Sequence, residues 1–193
     1  IVFAERDESS GIRVLERLGT TELKDVPQFQ TALRQLRPDL EYDGIFARKM
    51  KGRPVVLGFT FSSDDPAQAP RKGMLPPPVL AADAFRGRNI GSTSWNGYTA
   101  NLAELQKNAA SAGHFNPWTD DDGITRRVPM LAEYQGAYYE PLSLAMVRVL
   151  LGSPPVKPLF ADESLSGDYT GLEWLQVGSL RIPVDDTVSS LVP

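Results

Sequence analysis

The chain has 193 residues, enough for one full hydrophobic core and short for a second independent domain. An apolar fraction of 41%, a charged fraction of 23% and a net charge of -4 describe an ordinary globular chain without a basic field for nucleic acid or anionic lipid. Cysteine is absent, which removes disulfides, thiolate nucleophiles, zinc clusters and iron–sulfur ligation together.

No window approaches the roughly 20 consecutive apolar residues that span a bilayer, and no signal peptide is visible. The chain opens without methionine on Ile1-Val2-Phe3-Ala4 and closes on Leu191-Val192-Pro193, so both ends read as cuts in a longer polypeptide. Ile1 to Ala4 reads as a buried strand, and Glu5 to Gly11 as the loop that leaves it. Val26, Phe29, Ala32, Leu33 and Leu36 follow helical spacing, which predicts a helix with one buried face ended by Pro38. Asp39 is placed to cap a second helix through Met50, and Gly52 to stop it.

Val55 to Phe61 is apolar and β-branched almost throughout, the pattern of a central strand covered on both faces. Prolines 66, 70, 76, 77 and 78 then predict an extended surface crossing. Asn89 to Tyr98 is a candidate strand in which Gly91 and Gly97 mark close backbone approaches, and Thr99 is placed to cap a helix through Ser111. Asp122-Gly123 signals a hairpin between two strands, the second running from Ile124 to Tyr134 and turning at Gln135-Gly136. Pro141 to Leu150 is apolar nearly all round, which predicts a deeply buried helix ending at Gly152. Ser153 to Pro158 reads as a stiff connector, and Leu172–Val177 and Leu180–Val184 as strands joined at Gly178-Ser179. The expected class is α/β, with mixed α+β as the variant: a central mixed sheet flanked by helices in a single domain.

Few residues carry candidate chemistry. Asp120-Asp121-Asp122-Gly123 invites a calcium reading, yet aligning Gly123 with the glycine of a calcium loop puts Trp118 at the first ligand position and Pro129 at the bidentate glutamate. A solvated hairpin turn is the better reading, and no metal or other cofactor is expected. Arg126 and Arg127 point to opposite faces of a strand; one of them can brace the aspartates, and either can clamp an anion. His114 is the sole histidine and the residue a catalytic dyad or triad would need, but no nucleophile elbow accompanies it. Glu5 and Asp7 stand just past a strand, where α/β sheets present ligand-binding groups. Arg86 to Ser92 forms neither a phosphate loop nor a dinucleotide fingerprint.

Three blocks in order carry a family resemblance: Val2 to Ser10, Phe46-Ala47 through Arg53 to Phe59, and Ala112-Gly113-His114-Phe115-Asn116 through Asp120 to Pro129. Together they resemble the type-two CHASE domain, CHASE2, a cyclase- and histidine-kinase-associated sensory extracellular domain. The resemblance runs from Ile1 to about Val184, with the third block, which includes Asn116, its most specific part. It implies the extracytoplasmic, periplasmic portion of a bacterial inner-membrane receptor, joined to the membrane only through flanking helices outside this chain. It also implies an unknown small ligand or periplasmic factor as partner and an intracellular adenylate cyclase or kinase as output. Family members begin before this first strand, so an N-terminal part is expected to be missing, and the sheet edge thus exposed suggests a homodimer. Two other readings stay open: a hydrolase or transferase using His114 with Asp120 or Asp122, and a purely structural dimerisation domain.

Overall fold

The computed structural model describes residues 2–85, 88, 90–120, 122–161 and 171–191. Ile1, Arg86, Gly87, Asn89 and Asp121, which entered the readings above, lie outside them. In chain order the elements are α1 (Ile12–Thr20), α2 (Pro27–Leu40), α3 (Tyr42–Met50), β1 (Val56–Ser62), β2 (Arg71–Lys72), β3 (Thr93–Ser94), β4 (Gly97–Thr99), α4 (Ala103–Gln106) and β5 (Ser111–His114). They continue with β6 (Trp118–Thr119), β7 (Thr125–Pro129), β8 (Ala132–Tyr134), β9 (Ala137–Tyr139), α5 (Leu142–Leu150), β10 (Val156–Phe160), β11 (Leu172–Val177), β12 (Leu180–Pro183) and β13 (Ser189–Leu191).

The fold is mixed α+β. Strand β1 lies at the heart of a mixed sheet of order β2-β4-β1-β5, antiparallel to β4 and parallel to β5. Three small three-stranded sheets accompany it among the described residues: β10-β11-β12, β13-β7-β6 and β3-β8-β9. Alternation along β1 sends Leu57, Phe59 and Phe61 into one core, where they meet Met50 of α3, Leu105 of α4, and Tyr134 and Tyr139. A second core gathers Leu144 of α5, Val156 of β10, and Leu175 and Val177 of β11.

The opposite face of β1 is shaped by absence of side chains. Gly58 and Gly113 are register partners across β1 and β5. A Cβ on Gly113 would stand 2.5 Å from the backbone nitrogen of Leu142, and one on Gly58 would stand 2.9 Å from the Phe115 ring and 3.6 Å from the Leu142 side chain. The first turn of α5 therefore rests directly on the β5 backbone at Gly113, an approach that only glycine permits, while the Phe115 ring and the Leu142 side chain cover Gly58.

Several expectations are corrected. Residues 2–4 form no strand; Phe3 is docked instead, its N–H donating to Asn101 Oδ1 at 2.9 Å, its carbonyl accepting from Leu102, and its ring edge-on to Phe46. Helix α2 runs past Pro38 and has no fully buried residue, with Val26 before it and Leu36 in it exposed. Asp39 belongs to α2, and α3 starts after Glu41 without a side-chain cap. The helix expected from Thr99 is the single turn of α4, because Ser111–His114 joins the sheet as β5. Both long strands expected at 89–98 and 124–134 are broken, giving β3 and β4, and β7 and β8. Helix α5 buries Leu144 and Ala145 but exposes Met146, Val147 and Leu150. The connector at 153–158 becomes strand from Val156 onward.

Other features agree with the sequence reading. Gly52, Gly123, Gly136, Gly152 and Gly178 all have φ between 59° and 81° at the turns where they were placed. Gly91 and Gly97 touch backbone, with a Cβ on either falling within 2.6 Å of a carbonyl oxygen.

Candidate functional site

The residues between β5 and β7 take their places because β5 is short. Its parallel pairing with β1 ends at Phe59–His114, and Phe115 then donates its N–H to the Phe59 carbonyl. Two residues further along β1, Phe61 would face an empty ladder position. The Asn116 side chain fills it: Oδ1 accepts from the Phe61 N–H at 2.8 Å and Nδ2 donates to the Phe61 carbonyl at 2.8 Å. An amide side chain thus does the work of one more strand residue. Asn116→Ala leaves both groups without partners in a half-buried setting, and an expected loss of about 2 kcal/mol in urea unfolding checks this role.

His114 is 1% exposed and lies on the aromatic face of the sheet, its ring centroid 5.9 Å from that of Phe61 and 6.5 Å from that of Phe59. Neither ring nitrogen has a hydrogen-bond partner among the described residues. Burial alone lowers its pKa to about 4, so the ring is neutral at physiological pH. Asp120 and Asp122 do not reach it, being turned to Arg126. Arg126 Nη1 donates to Asp120 Oδ2 at 3.0 Å and to Asp122 Oδ1 at 2.9 Å, and Nη2 donates to Asp122 Oδ2 at 2.7 Å. The guanidinium beside Asp122, helped by the Ile124 N–H, holds that carboxyl below its usual range. Arg126 is the brace of the hairpin between β6 and β7. Arg126 and Asp122 are solvent-exposed and Asp120 is partly so, so Arg126→Ala is expected to move the unfolding midpoint by less than about 2 °C.

Arg127 takes the other face. Its Nη1 donates to Asp185 Oδ2 at 3.0 Å, while Asp185 Oδ1 accepts from the N–H groups of Thr187 and Ser189 and from the Thr187 hydroxyl. This ties β7 to the turn before β13. Glu5 pairs with Lys72, whose hydrogen bond and charge lower the glutamate pKa. Asp7 accepts from the Ser9 N–H, and its own N–H donates to Asp43 Oδ2 at 2.9 Å. The eight candidates therefore do not converge. Seven of them fasten four separate joints, namely Asn116 on β1, the aspartate–Arg126 hairpin, Arg127 on Asp185, and Glu5 with Asp7 on the N-terminal segment, while His114 is buried in the core.

A cavity of about 650 Å³ lies elsewhere, between the Pro76-Pro77-Pro78 strap, the α4 turn and the C-terminal half of α5. Its charged lining residues are Lys107, Glu140 and Arg148. Glu140 is 3% exposed and accepts through Oε1 from Arg148 Nη1; Arg148 Nε donates to the Pro154 carbonyl at 2.9 Å. Burial pushes the Glu140 carboxyl up to about 7 against the opposing pull of Arg148. Glu140 Oε2 and the amide oxygen of buried Gln106 have no partner among the described residues.

The family model for the CHASE2 domain matches residues 1–192. The chain belongs to the CHASE2 family. Comparison with curated proteins and with solved structures gave no match. CHASE2 is a family of sensory extracellular domains, and this CHASE2 domain has, among its described residues, no helix long and apolar enough to cross a membrane.

The sequence reading missed Glu140, Arg148 and Gln106. Glu140 follows two tyrosines and precedes Pro141, so it reads as a surface residue at a helix start, and Arg148 reads as the polar side of an apolar helix. The available signal was a lone cation inside an otherwise apolar helical run, eight residues after a lone carboxylate. Chemically the CHASE2 cavity can bind and orient a polar molecule. The scattered joints can hold loops.

Proposed function

We propose that this CHASE2 domain is the periplasmic sensory portion of a bacterial inner-membrane receptor, reading a small-molecule stimulus and regulating an intracellular output such as an adenylate cyclase or a protein kinase. The observation that carries the reading is the family match along residues 1–192. The cavity beside α5 supports it, because a sensor needs a place where a ligand can favour one conformation over another. A hydrolase or transferase reading has lost its support, since His114 is sealed in the core and both aspartates proposed as its partners are held by Arg126.

Thermal-shift screening of a broad set of periplasmic metabolites and ions tests the sensing function, and a set that leaves the midpoint unmoved would sink it. The receptor context is tested by reading the parent gene for hydrophobic spans beside this segment. A homodimer belongs to the same reading, supported by the exposed apolar residues Val26 and Leu36 near α2 and Met146 and Leu150 on α5. Light scattering that finds only monomer at high concentration removes it.

A further inference from the structure

We propose that the cavity beside α5 is the ligand site of this domain and that it takes a small zwitterion of the amino-acid class, with its ammonium on Glu140 and Gln106 and its carboxylate toward Lys107 and Arg148. The inference rests on the sensory reading and names the ligand chemistry for it.

Glu140 Oε2 and Gln106 Oε1 are buried acceptors without donors, and both residues line the same cavity. Buried acceptors of this kind are costly unless something supplies a donor, and leaving them open is a common mark of a binding position. What they call for is an N–H or O–H group, and a carboxylate oxygen favours a cationic one. A bare cation fits poorly, because the charged residues around the cavity are two cations and one carboxylate. Lys107 is exposed and makes no ion pair among the described residues. Glu140 Oε1 is already occupied by Arg148. One cation in excess among the charged lining residues and two buried acceptors without donors on lining residues are complementary to a molecule that carries both signs a few bonds apart.

The remaining walls fit the same class. Prolines 76–78 and Val149 offer apolar surface without side-chain donors, which suits the aliphatic part of such a ligand. A volume of about 650 Å³ holds a free amino acid with room for its side chain.

The test is calorimetry and thermal shift on the whole chain with three probe sets: the twenty common L-amino acids with glycine betaine, the matching simple amines, and the matching simple carboxylates. At least one amino acid should give a saturable rise in midpoint, and the amine or carboxylate of the same skeleton should bind at least about tenfold more weakly. Betaine, which lacks N–H donors, should not bind. Gln106→Leu should weaken the active amino acid about tenfold, and Lys107→Ala, a surface change that leaves the core intact, should weaken it several-fold. Arg126→Ala should change nothing. The proposal falls if only amines, only carboxylates or only uncharged polyols shift the midpoint, an outcome under which the sensory reading stands. It also falls if an amino acid binds equally well to Gln106→Leu and Lys107→Ala, which would place the ligand elsewhere. No shift from any compound in the broader metabolite and ion screen overturns the sensory reading itself.

Discussion

Arg148→Met is expected to destabilise the domain by about 3–5 kcal/mol at pH 7.5, the largest effect of a single exchange considered for this chain. Arg148 is the partner of Glu140, which is 3% exposed, and methionine keeps the length of the side chain while withdrawing the charge. The carboxylate is then buried without a counter-ion. Glu140 already sits at about 7 because burial outweighs the pull of Arg148, and losing that pull drives the carboxyl higher. A carboxyl raised in the folded state contributes its stability below the unfolded value of 4.5 and loses it as pH rises through the folded value. The deficit of Arg148→Met should therefore shrink between pH 7.5 and pH 5. Adding Glu140→Leu to Arg148→Met should restore most of the stability, since an apolar pair can replace a buried ion pair at little cost. Urea unfolding of the four proteins of this cycle at both pH values checks the argument, and a deficit that ignores pH would contradict it.

His114→Leu is expected to do the reverse. The ring is buried with both nitrogens unpartnered, and a leucine of similar volume removes two unsatisfied polar atoms, worth about 1 kcal/mol at pH 7.5 after packing adjustments. The gain should grow in acid. Burial depresses the folded pKa to about 4 against 6.5 for the free side chain, so the histidine's contribution is complete above pH 6.5 and is lost as pH falls toward 4. At pH 5 the wild type has given up about 2 kcal/mol through this group, and the variant should lead it by about 3 kcal/mol in all. Between pH 6.5 and 4.5 the histidine's loss and the Glu140 gain run in opposite directions, so the wild type should show a shallower acid response than either His114→Leu or Glu140→Gln.

How far the fold was legible depended on the kind of signal. Turns were the clearest: Gly52, Gly123, Gly136 and Gly178 stand at reversals because the backbone there needs positive φ, a requirement local enough to be written in single residues. Strand β1 and helix α5 were also plain, since predominantly apolar runs leave few alternatives. Helix α1 was missed because Gly11, in the left-handed region, starts it without any side-chain cap, and charged residues separate Ile12, Leu15 and Leu18. The breaks that split 89–98 and 124–134 between sheets come from tertiary pairing, β4 with β1 and β7 with β13, which no local pattern encodes. Expected burial of α5 failed for a related reason: apolar periodicity tells which residues can be covered, not what is present to cover Met146 and Leu150.

The candidate residues divide along the same line. That one arginine of the Arg126-Arg127 pair would brace the aspartates followed from strand alternation and charge, and the alternation also sent Arg127 the other way to Asp185. The role of Asn116 did not follow, since it depends on β5 ending two residues short of Phe61. The cavity residues come from three separated stretches, around 76, 106 and 148, and only the folded chain brings them together.

The bare glycine seat formed by Gly58 and Gly113 has a mechanical implication. At Gly113 no side chain separates the start of α5 from β5, so at that point the helix has less freedom to slide over the sheet than helices packed through side chains ordinarily have. Any displacement that a bound molecule provokes must be taken up by the proline strap or the short α4 turn, or else must carry α5, β5 and β1 along as one stiff unit.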